Sequence, residues 1–210
     1  MFAESVASRP RKSHRVAREV AILSAALRMF AERGYDGARI EDIADAAGIG
    51  KGTLYVYFAS KQAVLEGVVR AAAEPSLAAI DAISAAAAGD PVEALRAVIA
   101  RAKAALRDEI APVFLKVLVA EGGRAPEIGA IYARAVLDPL LAVVAEIIAR
   151  GVATGAFRPI DPILAARLLI APAVSAAIAR DVLGGDAAAF DPDALLDAHA
   201  DLFLAGLQTR

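Results

Sequence analysis

The segment ILSAALRMFAERGYDGARIEDIADAAGIGKGTLYVYFASKQAVL, residues 22–65, decides the fold of this chain. Its apolar residues recur at helical spacing, and that spacing is interrupted at Gly34 and Gly48. Glycine ends helices readily because it adopts the left-handed backbone that other residues resist. We therefore expect a first helix that ends at Gly34 and a tight turn at Gly48.

Two short helices should flank that turn, one over Ile40 to Ala47 and the other over Lys51 to Phe58. Ser60 follows, and we expect it to cap a longer helix, because a serine hydroxyl accepts from the free N–H groups of a first helical turn. Three helices with a glycine turn between the last two form the outline of a helix-turn-helix.

The remainder of the chain also predicts helices. No β-type alternation persists beyond a few residues, and alanine, the best helix former, is abundant. Asp-Pro pairs mark three helix starts, since aspartate caps a helix and proline at its first position forfeits no needed hydrogen bond. These pairs are Asp90-Pro91, Asp161-Pro162 and Asp191-Pro192. We predict an all-α fold of about nine helices, the later ones near 91–108, 112–121, 126–151, 162–183 and 192–207.

Positive charge is concentrated towards the N-terminus. Residues 1–70 hold 11 Lys and Arg against 8 Asp and Glu, whereas residues 71–210 hold 12 against 17. A basic arm beside a helical head is the electrostatic footprint of a DNA-binding protein, although a solvated tail has the same composition. We expect a disordered basic arm over 1–15, a helix-turn-helix domain over 16–62 and a larger helical domain over 63–210.

Four motifs stand in order in the first segment: A-x-x-x-F-x-x-x-G-Y, I-x-x-I-A-x-x-A-G-I, G-K-G-T-L-Y-x-Y-F and S-K-x-x-x-L, which begin at Ala26, Ile40, Gly50 and Ser60. In this order and spacing they resemble the TetR family of transcriptional regulators. Two later stretches, FLKVLVAEGGRAPEI (114–128) and GAFRPIDP (155–162), resemble its AcrR-type subgroup. The resemblance implies a homodimer that binds operator DNA through the helix-turn-helix and a small-molecule effector through the larger domain.

The candidate DNA-binding residues follow from which side chains the second short helix must bury. Leu54 and Phe58, spaced i and i+4, should pack inward, which turns the other residues outward. Lysine and threonine donate to base edges and phosphates, tyrosine offers a hydroxyl and a ring, and glycine permits close backbone approach. Tyr55 as a half-buried packing residue is the alternative. The outward set is Lys51, Gly52, Thr53, Tyr55 and Tyr57.

Two further cations join this set. Lys61 lies in a first helical turn, where the helix dipole disfavours a positive charge, so it needs a partner outside its helix. The family resemblance implies a phosphate; a solvated lysine is the alternative. Arg39 stands where family members usually carry a Thr or Ser cap, and Gly50 stands where Ser usually caps the next helix. Arginine is a poor cap but a good phosphate ligand.

The larger domain offers weaker signals. Apolar or weakly polar residues on its central helices are candidate ligand-binding residues: Phe114, Leu118, Tyr132, Val136 and Ser175. Small and apolar residues of the last two helices are candidates for the dimer interface: Ala171, Ala176, Ala179, Leu195, Leu202 and Phe203. An ordinary intramolecular core is the alternative for every residue in both sets.

The sequence predicts neither an enzyme nor a cofactor, because no nucleophile and base are paired and two histidines without cysteine make no metal site. The longest uncharged stretch, 168–179, is too short to span a membrane, which takes about 20 residues, and we expect a cytoplasmic protein. The expected function is repression relieved by an apolar or amphipathic effector at a palindromic operator. The alternative is a helical small-molecule-binding protein that has lost specific DNA binding.

Overall fold

A computed structural model describes residues 9–86, 89–107, 117–119, 126–181 and 191–208. These residues confirm the all-α fold. Their nine α-helices are α1 (Arg9–Gly37), α2 (Ile40–Ala46), α3 (Lys51–Tyr57), α4 (Lys61–Ala86), α5 (Pro91–Leu106), α6 (Pro126–Tyr132), α7 (Asp138–Ala153), α8 (Pro162–Asp181) and α9 (Pro192–Leu207). Residues 117–119 are helical too, and the rest of the helix expected over 112–121 lies outside the described residues.

Internal contacts divide the chain into two units, Met1–Val69 and Arg70–Arg210. The division falls within α4, further along the chain than the boundary after residue 62 that the sequence predicts. The first unit contains α1, α2, α3 and the beginning of α4, and the second contains the remaining helices.

The expected disordered arm over 1–15 is corrected from residue 9 onward, because α1 already begins at Arg9. Arginine, lysine and alanine are good helix formers, and Pro10 occupies the first turn, where a missing N–H costs nothing. Net positive charge therefore did not prevent helix formation.

The predicted turn and cap signals are present, although α1 is kinked at Gly34 and continues to Gly37 instead of ending there. Gly34 and Gly48 have φ values of 71° and 68°, so both glycines take the left-handed backbone. The Ser60 hydroxyl accepts from the backbone N–H of Ala63 at 3.1 Å, which confirms its cap. The three predicted aspartate caps each accept two backbone N–H groups of the following helix, at 2.8–3.3 Å: Asp90, Asp161 and Asp191.

The single helix expected over 126–151 is instead interrupted by a π-helical turn, Ala133–Leu137, between α6 and α7. The turn lies just before Pro139. Proline has no N–H for the carbonyl four residues earlier, and its ring collides with that carbonyl in a regular α-helix. A wider turn accommodates both effects, as π-bulges do inside helices.

The core of the second unit lies among α5, α7, α8 and α9. An apolar stripe of α7 forms much of it, with Val144, Ile147 and Ile148 fully buried. The corner between α7 and α8 closes this core at one end, because Phe157 is buried against Gly151 of α7.

The same corner holds the C-terminal end of α9, whose last carbonyls have no partner within the helix. The Arg158 side chain donates through Nε to the carbonyl of Gly206 at 2.6 Å, and its backbone N–H donates to the carbonyl of Leu207 at 2.9 Å. The stretch GAFRPIDP is thus a structural corner that joins α7, α8 and α9.

Replacing Gly151 with alanine should destabilise the protein, because the new Cβ would overlap the Phe157 ring. Overpacking of this kind typically costs about 1–3 kcal/mol of the free energy of unfolding. Denaturant unfolding followed by circular dichroism measures it. Gly129→Ala is the matched control, since a Cβ there meets nothing within 4 Å; equal stability of the two variants would contradict the packing described here.

Candidate nucleic-acid interface

The orientation of α3 is set by the two apolar residues that it buries. Leu54 is fully buried, and Phe58, directly after the helix, is 8% exposed. The Phe58 ring lies beside Gly67 of α4 and Leu23 of α1: a Cβ on Gly67 would come within 2.8 Å of that ring and 2.9 Å of the leucine. These contacts confirm the predicted inward face of α3.

The other side of α3 is turned to solvent. Lys51, Gly52 and Tyr55 are exposed, whereas Thr53 and Tyr57 are half-buried. The structure adds one residue to this surface that the sequence analysis missed, Val56, which is 76% exposed. Its position two residues after the buried Leu54 was the available signal, but an apolar residue is normally assigned to a core.

Gly52 has no structural role that requires glycine. Its backbone is helical, its φ is not positive, and a Cβ there would meet nothing within 4 Å. Inside a helix, glycine is about 1 kcal/mol less favourable than alanine. The protein therefore carries a destabilising residue at the exposed start of α3, where it leaves the backbone uncovered.

Lys51 is exposed but paired. Its Nζ lies 2.6 Å from a carboxylate oxygen of Glu41 in α2, and both side chains are about half exposed. The hydrogen bond from Lys51, with a backbone hydrogen bond of Glu41 itself, lowers the pKa of Glu41, and the pair raises the pKa of Lys51. Exposed pairs are weak and exchange partners easily, so a stronger anion can displace Glu41.

Lys61 has its partners within the first unit. Its Nζ donates to the carbonyls of Ala38 at 3.1 Å and Asp36 at 3.3 Å, and lies 4.5 Å from the ring centroid of Tyr35. The partners of Lys61 lie outside its own helix, at the C-terminal end of α1 and in the loop that follows it. This lysine fastens α4 to that loop.

Arg39 occupies the N-cap position of α2 and makes no side-chain cap, as its residue type predicts. Its side chain is exposed. Two acidic residues in the first turn, Glu41 and Asp42, offset the missing cap by favourable interaction with the helix dipole. Asp42 is also joined to Arg33 of α1 at 2.5 Å.

The predicted ligand-binding residues that the structure describes differ in location and burial. Tyr132 and Val136 are half-buried along the turn from α6 to α7, and Leu118 is half-buried in the short segment 117–119. Burial raises the pKa of Tyr132, so its hydroxyl stays protonated at neutral pH. Ser175 does not line the protomer interior, because it is exposed on α8. Phe114 lies outside the described residues.

An apolar face of α8 is turned to solvent. Leu164 and Leu168 are 54% and 50% exposed, and Ala171 and Ser175 continue the same face at helical spacing. By length and composition alone, Pro162–Arg180 would suffice to cross a membrane, with 22% of it buried, but a core helix of a soluble protein passes the same test. The uncharged stretch from which we expected no membrane span begins after Arg167. The helix includes Arg167, whose side chain is exposed.

The predicted interface residues are divided by burial. On α9, Leu202 is 75% exposed and Leu195 is 36% exposed, while Phe203 is half-buried. Ala176 is removed from the interface set, because its side chain is fully buried in the core of its own protomer. Ala171 is exposed, and Ala179 is half-buried.

Two sequence models of known families match this chain. The model described as bacterial regulatory proteins, tetR family, matches residues 22–68, and the model described as tetracyclin repressor-like, C-terminal domain, matches residues 87–189. The first match contains the helix-turn-helix, and the second contains α5, α6, α7 and α8. The chain belongs to the TetR family.

Individual relatives agree with this assignment. The HTH-type transcriptional regulator RutR of Escherichia coli K12 is 48% identical over 54 residues, which are 26% of this chain and 26% of RutR. The alignment therefore spans only about a quarter of that curated relative, as it does for the similar relative KstR2 of Mycobacterium tuberculosis H37Rv.

Solved structures extend the likeness over the whole fold. PfmR of Thermus thermophilus, a TetR-family regulator, has a TM-score of 0.63 and 29% identity over 90% of this chain and 99% of that one. The fatty acid degradation regulator FadR of Bacillus halodurans has a TM-score of 0.71 and 24% identity over 92% and 97%. This TetR-family chain thus shares the two-part helical fold of these structures.

Gly52→Ala should stabilise this regulator and weaken its binding to DNA. Alanine adds about 1 kcal/mol of helix propensity, but its methyl group separates the α3 backbone from a duplex. We expect roughly tenfold weaker operator binding, which corresponds to about 1.4 kcal/mol of lost contact energy. Thermal unfolding and fluorescence anisotropy measure the two effects. Gly129→Ala should gain stability without losing affinity, and a Gly52→Ala variant that also kept full affinity would contradict the assignment.

Glu41→Gln should strengthen DNA binding at low ionic strength. The substitution releases Lys51 and removes a carboxylate that repels phosphate, and we expect a gain of up to about fivefold for an exposed pair. Screening should abolish the gain at high salt. Asp81→Asn, which removes an exposed charge from α4 instead, is the control. A gain that persisted in about 1 M salt would show that the effect is not electrostatic.

Proposed function

We propose that this protein is a cytoplasmic homodimeric repressor of the AcrR-type subgroup, released from a palindromic operator by a small apolar or amphipathic effector. One observation carries the DNA-binding half of the proposal: burial of Leu54 and Phe58 directs the polar residues of α3 outward. A short helix with an exposed polar side and a buried apolar anchor is what insertion into a major groove requires.

The roles of the individual residues follow from their chemistry. Lys51 exchanges Glu41 for a phosphate or a base edge, Thr53 and Tyr55 donate hydrogen bonds, and the methyl groups of Val56 suit the methyl group of a thymine. Gly52 admits the backbone close to the duplex. Arg39 and Tyr57 bind phosphates at the margins, and Lys61 supports them by holding the loop before α2.

Exposed apolar surface on α8 and α9 supports the homodimer. Leu164 and Leu168 are exposed on α8, and Leu202 is the most exposed large apolar residue of α9. Water-exposed leucines in a helical row are characteristic of a subunit contact. A two-fold dimer formed by these helices presents two copies of α3, and successive major grooves lie about 34–36 Å apart.

The effector is proposed to bind among the helices of the second unit, near Tyr132 and Val136. Both residues are half-buried, and a mainly apolar site with few polar groups favours an apolar or amphipathic molecule. FadR, which shares this fold, is named for the regulation of fatty acid degradation, so fatty acids of graded chain length are the first compounds to test. An effector that prefers a conformation incompatible with the operator lowers DNA affinity by its differential binding energy, typically about 5- to 150-fold.

One observation favours the competing function, a ligand-binding protein without specific DNA recognition. Both lysines assigned to DNA already have partners in the protein, Lys51 in Glu41 and Lys61 in two backbone carbonyls. Arg39 and Gly50, which depart from the family pattern, point the same way.

Fluorescence anisotropy with the DNA upstream of the gene decides between the two. The repressor should bind this duplex selectively over random sequence, and Lys51→Ala combined with Tyr55→Ala should remove the selectivity. Leu202→Glu is the paired variant: it leaves α3 intact but should yield a monomer in sedimentation and weaken operator binding through loss of the second half-site. Selectivity that survived the α3 double variant would falsify the proposed recognition surface.

A further inference from the structure

Arg15 and Arg18, both exposed on α1, form a second positively charged surface beside α3. The stretch Arg9–Glu19 contains five Lys and Arg and one acidic residue, Glu19, and all of it lies within α1. Every residue from His14 to Val20 is exposed, whereas Ile22 is fully buried. The basic end of the helix therefore extends beyond the packed part of the first unit.

Helical geometry identifies which side of this extension is directed towards α3. At about 100° per residue, Arg15 lies within about 20° of Ile22 and of Ala26 around the helix axis. Both of these residues are fully buried in the core that α1 shares with α2, α3 and α4. Arg15 therefore continues the core-facing side of α1 past the point where the core ends.

A direct contact supports this placement. The guanidinium of Arg15 lies over the ring of Tyr57, 5.9 Å from its centroid. Tyr57 is the last residue of α3 and is half-buried. The aromatic face restricts the long arginine side chain while its N–H groups, which lie in the guanidinium plane, remain able to donate.

We propose that Arg15, stacked on Tyr57, binds a DNA phosphate next to the groove that α3 enters, so that α1 and α3 together form the DNA-binding surface. The proposal rests on the proposed function of α3. An arginine held on a ring is pre-organised for a phosphate oxygen, because fewer rotamers are lost when the contact forms. Arg18, exposed one turn further along α1, adds positive potential to the same side.

A phosphate contact can be measured through the salt dependence of DNA binding. Each phosphate neutralised on duplex DNA contributes about 0.9 to the slope of log affinity against log salt. A dimer with Arg15→Gln loses two such contacts. The ratio of its dissociation constants at about 200 mM and about 50 mM salt should therefore be about tenfold smaller than that of the unsubstituted protein.

The matched control is Arg28→Gln. Arg28 is an exposed arginine of the same helix that lies about 140° from Arg15 around the axis, on the other side of α1. The Arg28→Gln substitution changes the net charge by the same amount as Arg15→Gln, but it should leave the salt slope unchanged. Random-sequence duplex is titrated alongside the operator, because the loss of a phosphate contact weakens binding to both DNAs to the same extent. Thermal unfolding confirms that both variants are folded.

The stacking itself has a separate readout. Tyr57→Phe keeps the ring beneath the guanidinium, and Tyr57→Leu removes it. The Arg15 contribution to the salt slope should persist in the first background and shrink in the second. The same slope in Arg15→Gln, Arg28→Gln and the unsubstituted protein would overturn this inference and leave recognition by α3 in place. Loss of operator binding alone, with random-sequence binding intact, would overturn it too. Absence of any operator binding by the unsubstituted protein would reject the proposed function and this inference together.

Discussion

The burial of Leu54 is the constraint on which the DNA-binding account depends. The helix that carries it, α3, has seven residues, and isolated helices shorter than about 12–15 residues are marginal in water. Tertiary packing must therefore hold α3 in place, and Leu54 with the adjacent Phe58 supplies it. These two side chains also fix the rotation of the helix. A rotation by one residue would bury Tyr55 and turn the leucine outward, so the identity of the outward side chains follows from one packing contact.

Interactions within the first unit reduce the positive charge that the exposed side of α3 and the start of α4 offer to DNA. Lys51 is balanced by Glu41, and Lys61 is bound by carbonyls and an aromatic ring. Phosphate contacts supply most of the non-specific affinity for DNA. Because these lysines are already engaged, we expect the first unit to bind random duplex weakly, which would leave a larger share of the affinity to base contacts made by α3. We expect α1 to supply further positive charge to phosphate, because Arg15 lies over the Tyr57 ring and not against a carboxylate.

Much of the fold could be predicted from local signals. Glycine turns and aspartate caps depend on a residue and its immediate neighbours, and Gly48 and Asp90 behaved as predicted. The outward and inward sides of α3 followed from spacing for the same reason. What could not be predicted depends on contacts distant in sequence. The pairing of Lys51 with Glu41 needs the angle between two helices, and the place of Arg15 beside Tyr57 joins residues far apart in the chain.

The sequence also could not predict the burial of single residues that suit both a core and a surface. Ala176 and Ala171 are both alanines of α8, but one is buried within its own protomer and the other is exposed. The helix expected over 126–151 is interrupted because Pro139 disturbs the hydrogen bonds of the preceding turn, although the apolar pattern around it is helical. Composition also did not predict that a helix begins within the basic arm, because arginine is common both in helices and in disordered segments.

A methylation-protection footprint at guanine N7, an atom of the major groove, on the DNA upstream of the gene tests most directly whether α3 enters the major groove as one of a two-fold pair. The account predicts two protected segments in symmetry-related half-sites, centred about one helical turn or a whole multiple of it apart. It also predicts that both segments disappear together when Lys51 and Tyr55 are replaced. A single protected segment, or a footprint indifferent to those two side chains, would contradict it.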